Sequence, residues 1–457
     1  MLNEVPNYGA RKKEAIDILC KEFKKNNHIE SELYSTLDVK RGLRNADGTG
    51  VLAGLTLICN VHGYVIDDGE KKPEEGKLIY RGYNINDIIN DCIDTGRFGF
   101  EEVIYLLLFG ELPKIEEINY FKSVLAMYRA LPEGFVEDVI LKRPSRNIMN
   151  KMQSSLLSLY TYDEYADVIT IEQELRRAIE ITARLSNIMI CAYHAKCKAF
   201  DKESLVIHSI NPEESIAQSI LSTLRIDRKY TLQEAHLLDV MLMLHAEHGG
   251  GNNSTFTCRC LTSTGTDAYS AYAGAIGSLK GPKHGGANSK VMVMLREIQE
   301  GVRDWEDLDE IRSYLCKIMD KKAGDGSGLI YGMGHAVYTK SDPRAVILKK
   351  CAMDLAEGTE YEAQFKLIDK IEKLSPEVFA QKKKGSKVIS ANVDMYSGLV
   401  YQMLGIPPEL YTPLFATARI AGWSAHRMEE LLTGGRIIRP AYKSIKRALK
   451  YKPLNER

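Results

Sequence analysis

Apolar residues recur at helical spacing over most of this chain, whereas alternating runs of the kind that form strands are few and short. One segment shows the pattern well. Thr231 and Glu234 form a capping-box signature, and the run from Leu237 to Leu244 behind them is apolar around much of a helical circumference. Such a helix belongs in a protein interior. The sequence therefore predicts a mainly α fold.

Three further segments carry helix signals. Residues 211–214 (Asn-Pro-Glu-Glu) predict a helix start, followed by a buried stripe that begins at Ile216. Residues 375–377 (Ser-Pro-Glu) predict another helix start. Residues 269–279 are mostly small, which favours close packing of this helix against a second one, within the chain or between two copies of it. This last segment is our candidate for the core of a dimer.

Composition excludes several classes of protein. The 457 residues are 44% hydrophobic and 27% charged, which suits a globular protein with a large core. Lys+Arg and Asp+Glu each number 61, so no overall field attracts nucleic acid or an anionic membrane. The nine cysteines form no CxxC pair and predict buried thiols in a reducing compartment. With no leader pattern at the start and no long apolar run, we predict a cytoplasmic location.

The first candidate functional segment is residues 246–254, in which His248 precedes three glycines and two asparagines. We expect His245 and His248 to lie in the last turn of the preceding helix. A histidine there is either a cation near the negative end of the helix dipole or a functional residue. A metal site is disfavoured, because the spacing of the two histidines is not HExxH and no third ligand is near. We predict no metal.

The second segment is residues 281–288, in which a proline and two glycines hold His284 on a turn before an apolar run. A histidine at a helix start is kept neutral by the positive end of the dipole. A neutral imidazole can donate a hydrogen bond to a carbonyl oxygen. The alternative is an ordinary surface turn.

The third segment is residues 332–344, where His335 follows two glycines and Arg344 lies nine residues further on. Arg344 could bind a carboxylate through two parallel hydrogen bonds. Its alternative role is an ion pair with Asp342. The segment has neither the GxxxxGK[ST] pattern nor a GxGxxG after a strand, so it does not predict a nucleotide site.

The fourth segment is residues 391–398, which place Asp394 in an otherwise uncharged stretch. An apolar environment disfavours the charged form of a carboxyl group and makes the ionised form a stronger base. Asp394 is therefore a candidate general base, with a buried structural aspartate as the alternative.

Together the four segments resemble the citrate synthase family. The motifs GPKHGGAN, GMGHAVY, DPRA and NVDMYSG stand in the family's order and spacing, and the resemblance runs from Lys40, through residues 78–83, to Arg439. It implies a multihelical, two-domain homodimer. A large domain would comprise residues 1–286 and 401–457, and a small domain residues 287–400, with the active site in the cleft between them.

The resemblance also implies roles for individual residues. The expected catalytic residues are His284, His335 and Asp394. The expected ligands of oxaloacetate are His248, Arg344, Arg419 and Arg439, the last of them reaching across from the partner subunit. For coenzyme A, the resemblance suggests backbone contacts at Gly332 and Gly334 and phosphate contacts from Lys340 and Lys387.

The expected reaction is the condensation of acetyl-CoA, a cosubstrate, with oxaloacetate, without a metal or a permanently bound cofactor. Two alternatives remain open from the sequence. One is a 2-methylcitrate synthase of the same family, which would use propionyl-CoA and needs room for one extra methyl group. The other is a non-catalytic helical scaffold. The intact His284, His335 and Asp394 argue against this second alternative.

Overall fold

The computed structural model describes residues 8–67, 70–335, 337–382 and 389–457. The mainly α prediction is confirmed. The α-helices, numbered α1 to α17 in chain order, are Tyr8–Asn26, Glu32–Thr36, Ile85–Thr95, Phe100–Phe109, Ile115–Tyr128, Ile148–Ser158, Ile171–Lys196, Ile216–Leu224, Leu232–His245, Asn253–Thr262, Ala268–Leu279, Ala287–Gly301, Leu308–Met319, Pro343–Ala356, Glu362–Lys382, Asp394–Met403 and Tyr411–Leu432.

The chain divides into two units, Met1–Gly54 and Leu55–Arg457. The first contains α1 and α2. The second contains the other α-helices and an antiparallel sheet of three strands in the order β1 (Cys59–Asp67), β2 (Glu70–Tyr80) and β3 (Tyr83–Asn84). The division that the sequence suggested after residues 286 and 400 remains a prediction.

Helix α9 begins as the sequence predicted. Thr231 caps it, and the Thr231 and Glu234 side chains each accept a hydrogen bond from the other residue's backbone N–H. The prediction for its end was wrong for His248, because the helix stops at His245 and His248 lies outside it. The Tyr80 hydroxyl lies 3.1 Å from the carbonyl oxygen of Met243, in the last turn of the helix, and 2.9 Å from that of Glu247, just beyond it.

Helix α8 begins later than predicted. Its cap is Ser215, which forms a capping box with Gln218, and the helix starts at Ile216. Asn211 instead accepts a hydrogen bond from the Glu213 N–H at 3.1 Å, a local turn that competes with helix formation.

Helix α11 confirms the close packing that its small residues predicted. A Cβ atom at Gly274 would lie 2.3 Å from Cδ1 of Leu261 in α10, and one at Gly277 would lie 2.7 Å from Nε2 of Gln153 in α6. Only glycine permits such approaches without displacing the neighbour.

The helix start predicted at residues 375–377 was wrong. Helix α15 runs through Pro376 without ending. Pro376 cannot donate a backbone hydrogen bond, but apolar residues on both sides of it, among them Leu374 and Val378, are buried and hold the helix against its neighbours. Ser375 is fully buried and donates its hydroxyl to the Ile371 carbonyl at 2.6 Å, rather than capping a new helix.

The nine cysteines are free thiols. The expectation that they are buried holds for Cys92, Cys191, Cys197 and Cys258, but Cys20 is exposed because it lies on α1, whose described side chains face solvent. Among the residues that the structure describes, no helix combines the length and the apolar character needed to cross a bilayer.

Candidate active site

Arg419 lies in the middle of α17 and is completely buried. Its Nε donates to the carbonyl oxygen of His245 at 2.7 Å, which fixes the guanidinium at the end of α9. Neither of its two Nη atoms has a hydrogen-bond partner among the described residues. Burial lowers the pKa of Arg419. A buried guanidinium with unused donors is suited to binding an anion.

His248 is buried beside this cation. Its pKa is held well below the ordinary value, first by burial and then by the positive charges of Arg344 and Arg419. His248 is therefore neutral at physiological pH and can donate a hydrogen bond without adding charge. The predicted residues His248, Arg344 and Arg419 thus influence one another in a single buried cluster.

Arg344, at the start of α14, forms the ion pair that we considered as its alternative role. Its Nε and Nη2 donate to the two carboxylate oxygens of Asp342 at 3.0 and 2.7 Å. Asp342 also caps α14 by accepting the backbone N–H of Arg344 at 3.0 Å. The pair fixes the guanidinium within the cluster. Although burial opposes the charge, the Asp342 carboxylate raises the pKa of Arg344 and keeps it cationic.

His335 has a defined tautomer. The backbone N–H groups of Val337 and Tyr338 both donate to its Nδ1, each at 3.1 Å. Because a backbone N–H can only donate, Nδ1 is an acceptor and the imidazole proton is on Nε2. His335 is therefore a neutral imidazole whose Nε2–H can donate to a substrate.

His284 has the opposite tautomer. Its Nε2 lies 3.3 Å from the backbone N of Ser254, which donates to it, and 3.1 Å from the Ser254 hydroxyl. The proton is therefore on Nδ1. The indole N–H of Trp423 donates to the same hydroxyl at 3.2 Å, and Trp423 lies one turn after Arg419 on α17.

The predicted neutrality of His284 agrees with its lowered pKa, for which burial is the main cause. His284 lies in a turn that ends before α12 begins at Ala287. Burial, followed by the charge of Arg419, lowers the pKa of His284 to about 4.

Asp394 is the first residue of α16 and keeps partial contact with solvent. Desolvation by the surrounding protein raises its pKa to about 6, and the attraction of Arg344 only partly offsets this effect. The expectation of a carboxyl group with a disfavoured charge is confirmed. Above pH 6 Asp394 is an ionised base that is stronger than an ordinary aspartate.

The loop before His335 and the segment before Asp394 are joined by hydrogen bonds. The Asn392 N–H donates to the Gly332 carbonyl at 2.8 Å, and its side-chain amide donates to the Gly334 carbonyl at 2.9 Å. The Asn392 side-chain oxygen accepts the N–H of Asp394 at 3.0 Å. One asparagine therefore sets the position of both catalytic candidates.

The sequence motifs did not predict the residues that contact or position the histidines and Asp394 or lie beside these contacts: Ser254, Tyr338, Asn392 and Trp423. A signal existed for Trp423, because a residue four positions after Arg419 lies on the same face of a helix. The hydroxyl and amide contacts of the others depend on how the loops meet in space, which spacing along the chain does not reveal.

Three of the four residues expected to contact coenzyme A lie in the described part of the chain. Lys387 lies outside the described residues, and Lys340 is exposed. Gly332 and Gly334 both have positive φ, at 83° and 88°. A Cβ atom at Gly332 would lie 2.8 Å from the sulfur of Met395, whereas one at Gly334 would meet nothing within 4 Å. Gly332 is therefore required for packing, and of the two only Gly334 has open space beside it.

Arg439 is the one predicted oxaloacetate ligand that the single chain does not bring to the cluster. It is exposed, in a segment without regular secondary structure that follows the end of α17 at Leu432. Within the described part of the chain, no hydrogen bond or ion pair joins it to His248, Arg344 or Arg419.

The fold is mainly helical, and the site combines a buried cationic cluster with two neutral histidines and a carboxyl group whose pKa is raised. A family model described as "Citrate synthase, C-terminal domain" matches residues 46–441. The chain is 33% identical to a citrate synthase of Haloferax volcanii, over 92% of this chain and 99% of that protein. It is 31% identical to 2-methylcitrate synthase 2 of Corynebacterium glutamicum, over 89% of this chain and 94% of that protein.

A solved structure is also similar: the citrate synthase of the archaeon Thermoplasma acidophilum in a ternary complex with carboxymethyl coenzyme A and oxaloacetate. The TM-score is 0.73 at 26% identity, and the match covers 92% of this chain and 99% of that one. The chain belongs to the citrate synthase family, whose members are acyltransferases.

Proposed function

We propose that this enzyme condenses acetyl-CoA with oxaloacetate and hydrolyses the resulting citryl-CoA to citrate and free coenzyme A. The observation that carries the proposal is the pair of backbone-fixed tautomers. His284 offers Nδ1–H and His335 offers Nε2–H, in the same site as a carboxylate whose pKa is raised to about 6. A condensation of two carbonyl compounds needs two such donors and one such base.

The first step removes a proton from the methyl group of acetyl-CoA. Asp394 accepts this proton, and negative charge develops on the thioester oxygen. His284 donates its Nδ1–H to that oxygen. A preorganised donor of this kind is typically worth roughly 3 kcal/mol in transition-state stabilisation. Its low pKa keeps His284 neutral, so a neutral donor faces the developing charge.

In the second step, the nucleophilic carbon attacks the ketone of oxaloacetate and forms a carbon–carbon bond. His335 protonates the ketone oxygen through its Nε2–H, and that oxygen becomes the hydroxyl group of citryl-CoA. The Nε2 atom then regains a proton from solvent, and Asp394 releases the methyl proton to solvent. Water then attacks the thioester, and coenzyme A leaves as the free thiol. Atoms balance without a redox partner or a metal.

The two carboxylates of oxaloacetate require cationic partners. Arg419 has two buried Nη atoms without protein partners, and Arg344 and the neutral His248 lie in the same cluster. Placing a carboxylate at Arg419 would satisfy the unused donors of a buried charge.

Replacing Arg419 by glutamine should therefore raise the dissociation constant for oxaloacetate by roughly 10- to 100-fold, which is the loss expected for one or two charge-assisted hydrogen bonds. Isothermal titration of the folded variant with oxaloacetate measures this effect. Arg129→Gln is the matched control, because Arg129 is also buried and also donates to a backbone carbonyl, that of Glu214, at 2.9 Å. Equal affinities in wild type and Arg419→Gln would contradict the assignment.

Thiol release tests the proposed reaction. The wild-type enzyme is assayed with acetyl-CoA and with propionyl-CoA, each with and without oxaloacetate. We expect release that depends on oxaloacetate and favours acetyl-CoA. A preference for propionyl-CoA would instead support 2-methylcitrate synthesis, which the similarity to the Corynebacterium glutamicum enzyme keeps as the second candidate. No release that depends on oxaloacetate would refute both.

We further propose the two-domain arrangement that the sequence suggested. Residues from all three segments form the site: His284 from residues 1–286, Asp394 from 287–400 and Arg419 from 401–457. A small domain that closes on the large one would exclude water from the condensation step. The cytoplasmic location also remains a proposal, as do the coenzyme A contacts of Lys340 and Lys387.

A homodimer completes this proposal. Arg439 is exposed and stands apart from the cluster in the single chain, so it is available to enter the site of a second copy. The small-residue helix α11 stays our candidate for the dimer core.

Co-expression of two inactive variants tests the role of Arg439. Arg439→Ala and Asp394→Asn should each be nearly inactive alone. If Arg439 acts across the interface, a mixed dimer contains one intact site, so random pairing in a symmetric dimer should restore about a quarter of wild-type activity. If Arg439 acts within its own chain, both sites of the mixed dimer are damaged and no activity returns.

A further inference from the structure

We propose that Tyr338 is a positioning residue that orients both His335 and His248 toward oxaloacetate. The inference rests on the proposed function, which gives the two histidines their substrate. Tyr338 belonged to no candidate set from the sequence, yet its backbone, ring and hydroxyl each contact the site.

The ring of Tyr338 stacks on the imidazole of His335, with centroids 4.6 Å apart and planes inclined by 27°. The backbone N–H of the same tyrosine donates to Nδ1 of His335 at 3.1 Å. The hydrogen bond selects the tautomer, and the stack selects the plane of the ring. Together they determine where the Nε2–H of His335 points.

The hydroxyl of Tyr338 lies 3.3 Å from Nε2 of His248. The two histidine rings are nearly perpendicular, at 88° with centroids 5.1 Å apart, so they face the substrate from different directions. Burial raises the pKa of the tyrosine above its ordinary value, which keeps the phenol protonated. A protonated phenol that donates to Nε2 leaves the His248 proton on Nδ1.

The β1–β2 hairpin holds Tyr338 in place. A Cβ atom at Gly63 in β1 would lie 2.7 Å from Cα of Tyr338, and one at Gly76 in β2 would lie 2.8 Å from its Cδ1. Tyr338 is only 2% exposed as a result. The sheet therefore packs directly against the residue that joins the two histidines, which gives this small β element a role at the site.

Two substitutions separate the contacts. Tyr338→Phe keeps the stack and the backbone hydrogen bond but loses the hydroxyl. We expect KM for oxaloacetate to rise about 3- to 10-fold, the usual value of one neutral hydrogen bond, with little change in kcat. Tyr338→Leu also removes the stack on His335, so kcat should fall as well.

Tyr230→Phe is the control, because its hydroxyl also lies 3.3 Å from its partner, an oxygen of Glu214, and Tyr230 has no place in the proposed site. It should leave KM and kcat unchanged. A purely structural role for Tyr338 would lower the melting temperature and the amount of active enzyme, neither of which changes KM.

An unchanged KM in Tyr338→Phe, with an active wild type, would overturn this inference alone. A wild type without oxaloacetate-dependent thiol release would instead refute the proposed function. Direct titration with oxaloacetate gives the same comparison for a variant that turns over too slowly to assay. If Tyr338→Phe binds oxaloacetate with the same dissociation constant as the wild type, that result would likewise count against the inference.

Discussion

Replacing Asp394 by asparagine should lower kcat by about 10²- to 10⁴-fold, the range that positioned general bases contribute. The amide keeps the size of the side chain and its place at the start of α16 but cannot accept the methyl proton. Binding of oxaloacetate should change little, because the proposed partners of its carboxylates are the arginines. Steady-state thiol release with acetyl-CoA, together with oxaloacetate titration, separates these two effects.

Asp307→Asn is the matched control for this substitution. It makes the same chemical change at another helix start, where the Asp307 side chain caps α13 by accepting the N–H groups of Asp309 and Glu310. Asparagine caps helices about as well as aspartate does. The control should therefore retain wild-type activity, and a control as inactive as Asp394→Asn would show that the loss does not report on the base.

The pH dependence of the wild type follows from the same carboxyl group. Burial raises the pKa of Asp394 to about 6, so the active, ionised form dominates above pH 6. As pH falls below 6 the base is protonated, and kcat/KM should decline by about tenfold per pH unit. The pKa of His284, at about 4, is too low for its protonation to explain a decline near pH 6.

Replacing His284 by alanine should lower kcat by roughly 10²- to 10³-fold, as the loss of one oxyanion donor does in other enzymes. The reason is that no other donor is positioned for the thioester oxygen in the proposed mechanism. Thiol release at saturating substrates measures the effect. His208→Ala is the control, because His208 is also half-buried and its ring contacts a backbone carbonyl, that of Arg225, at 3.1 Å.

The neutral state assigned to His284 can also be observed by NMR spectroscopy. The ¹⁵N resonances of His284 should report an uncharged imidazole with its proton on Nδ1 throughout the range in which Asp394 titrates. A charged His284 at pH 7, or a proton on Nε2, would contradict the assigned tautomer even if the alanine variant were inactive.

The sequence identified candidate site residues but not the residues that surround them. Short glycine-bounded motifs can be recognised from the local sequence alone. They therefore identified His248, His284, Arg344 and Asp394 as candidates. The environment of Asp394 could also be anticipated, because its neighbours in sequence are uncharged. The tautomer of His284 could not be anticipated, because it depends on Ser254, which is distant in sequence. The tautomer of His335 depends on how the backbone of Val337 and Tyr338 turns toward the ring, which the residue types alone do not determine.

Helix boundaries were likewise predicted where the signal was local and missed where it was not. The capping box at Thr231 was local and was predicted correctly. Pro376 was misread as the start of a helix, because the buried residues on both sides of it outweigh the missing backbone hydrogen bond. His248 was placed in a helix that in fact stops three residues earlier. Near that end, the Tyr80 hydroxyl lies within hydrogen-bond distance of the carbonyl oxygens of Met243 and Glu247. Tyr80 is remote in sequence, so a local pattern does not reveal this contact.

The most direct test of the account is the fate of the methyl carbon. The enzyme is incubated with oxaloacetate and acetyl-CoA labelled with ¹³C at the methyl position, and the products are examined by mass spectrometry. We predict singly labelled citrate in an amount equal to the thiol released, and neither product from Asp394→Asn. Thiol release that yields labelled acetate without labelled citrate would mean simple thioester hydrolysis, and would contradict the proposed condensation.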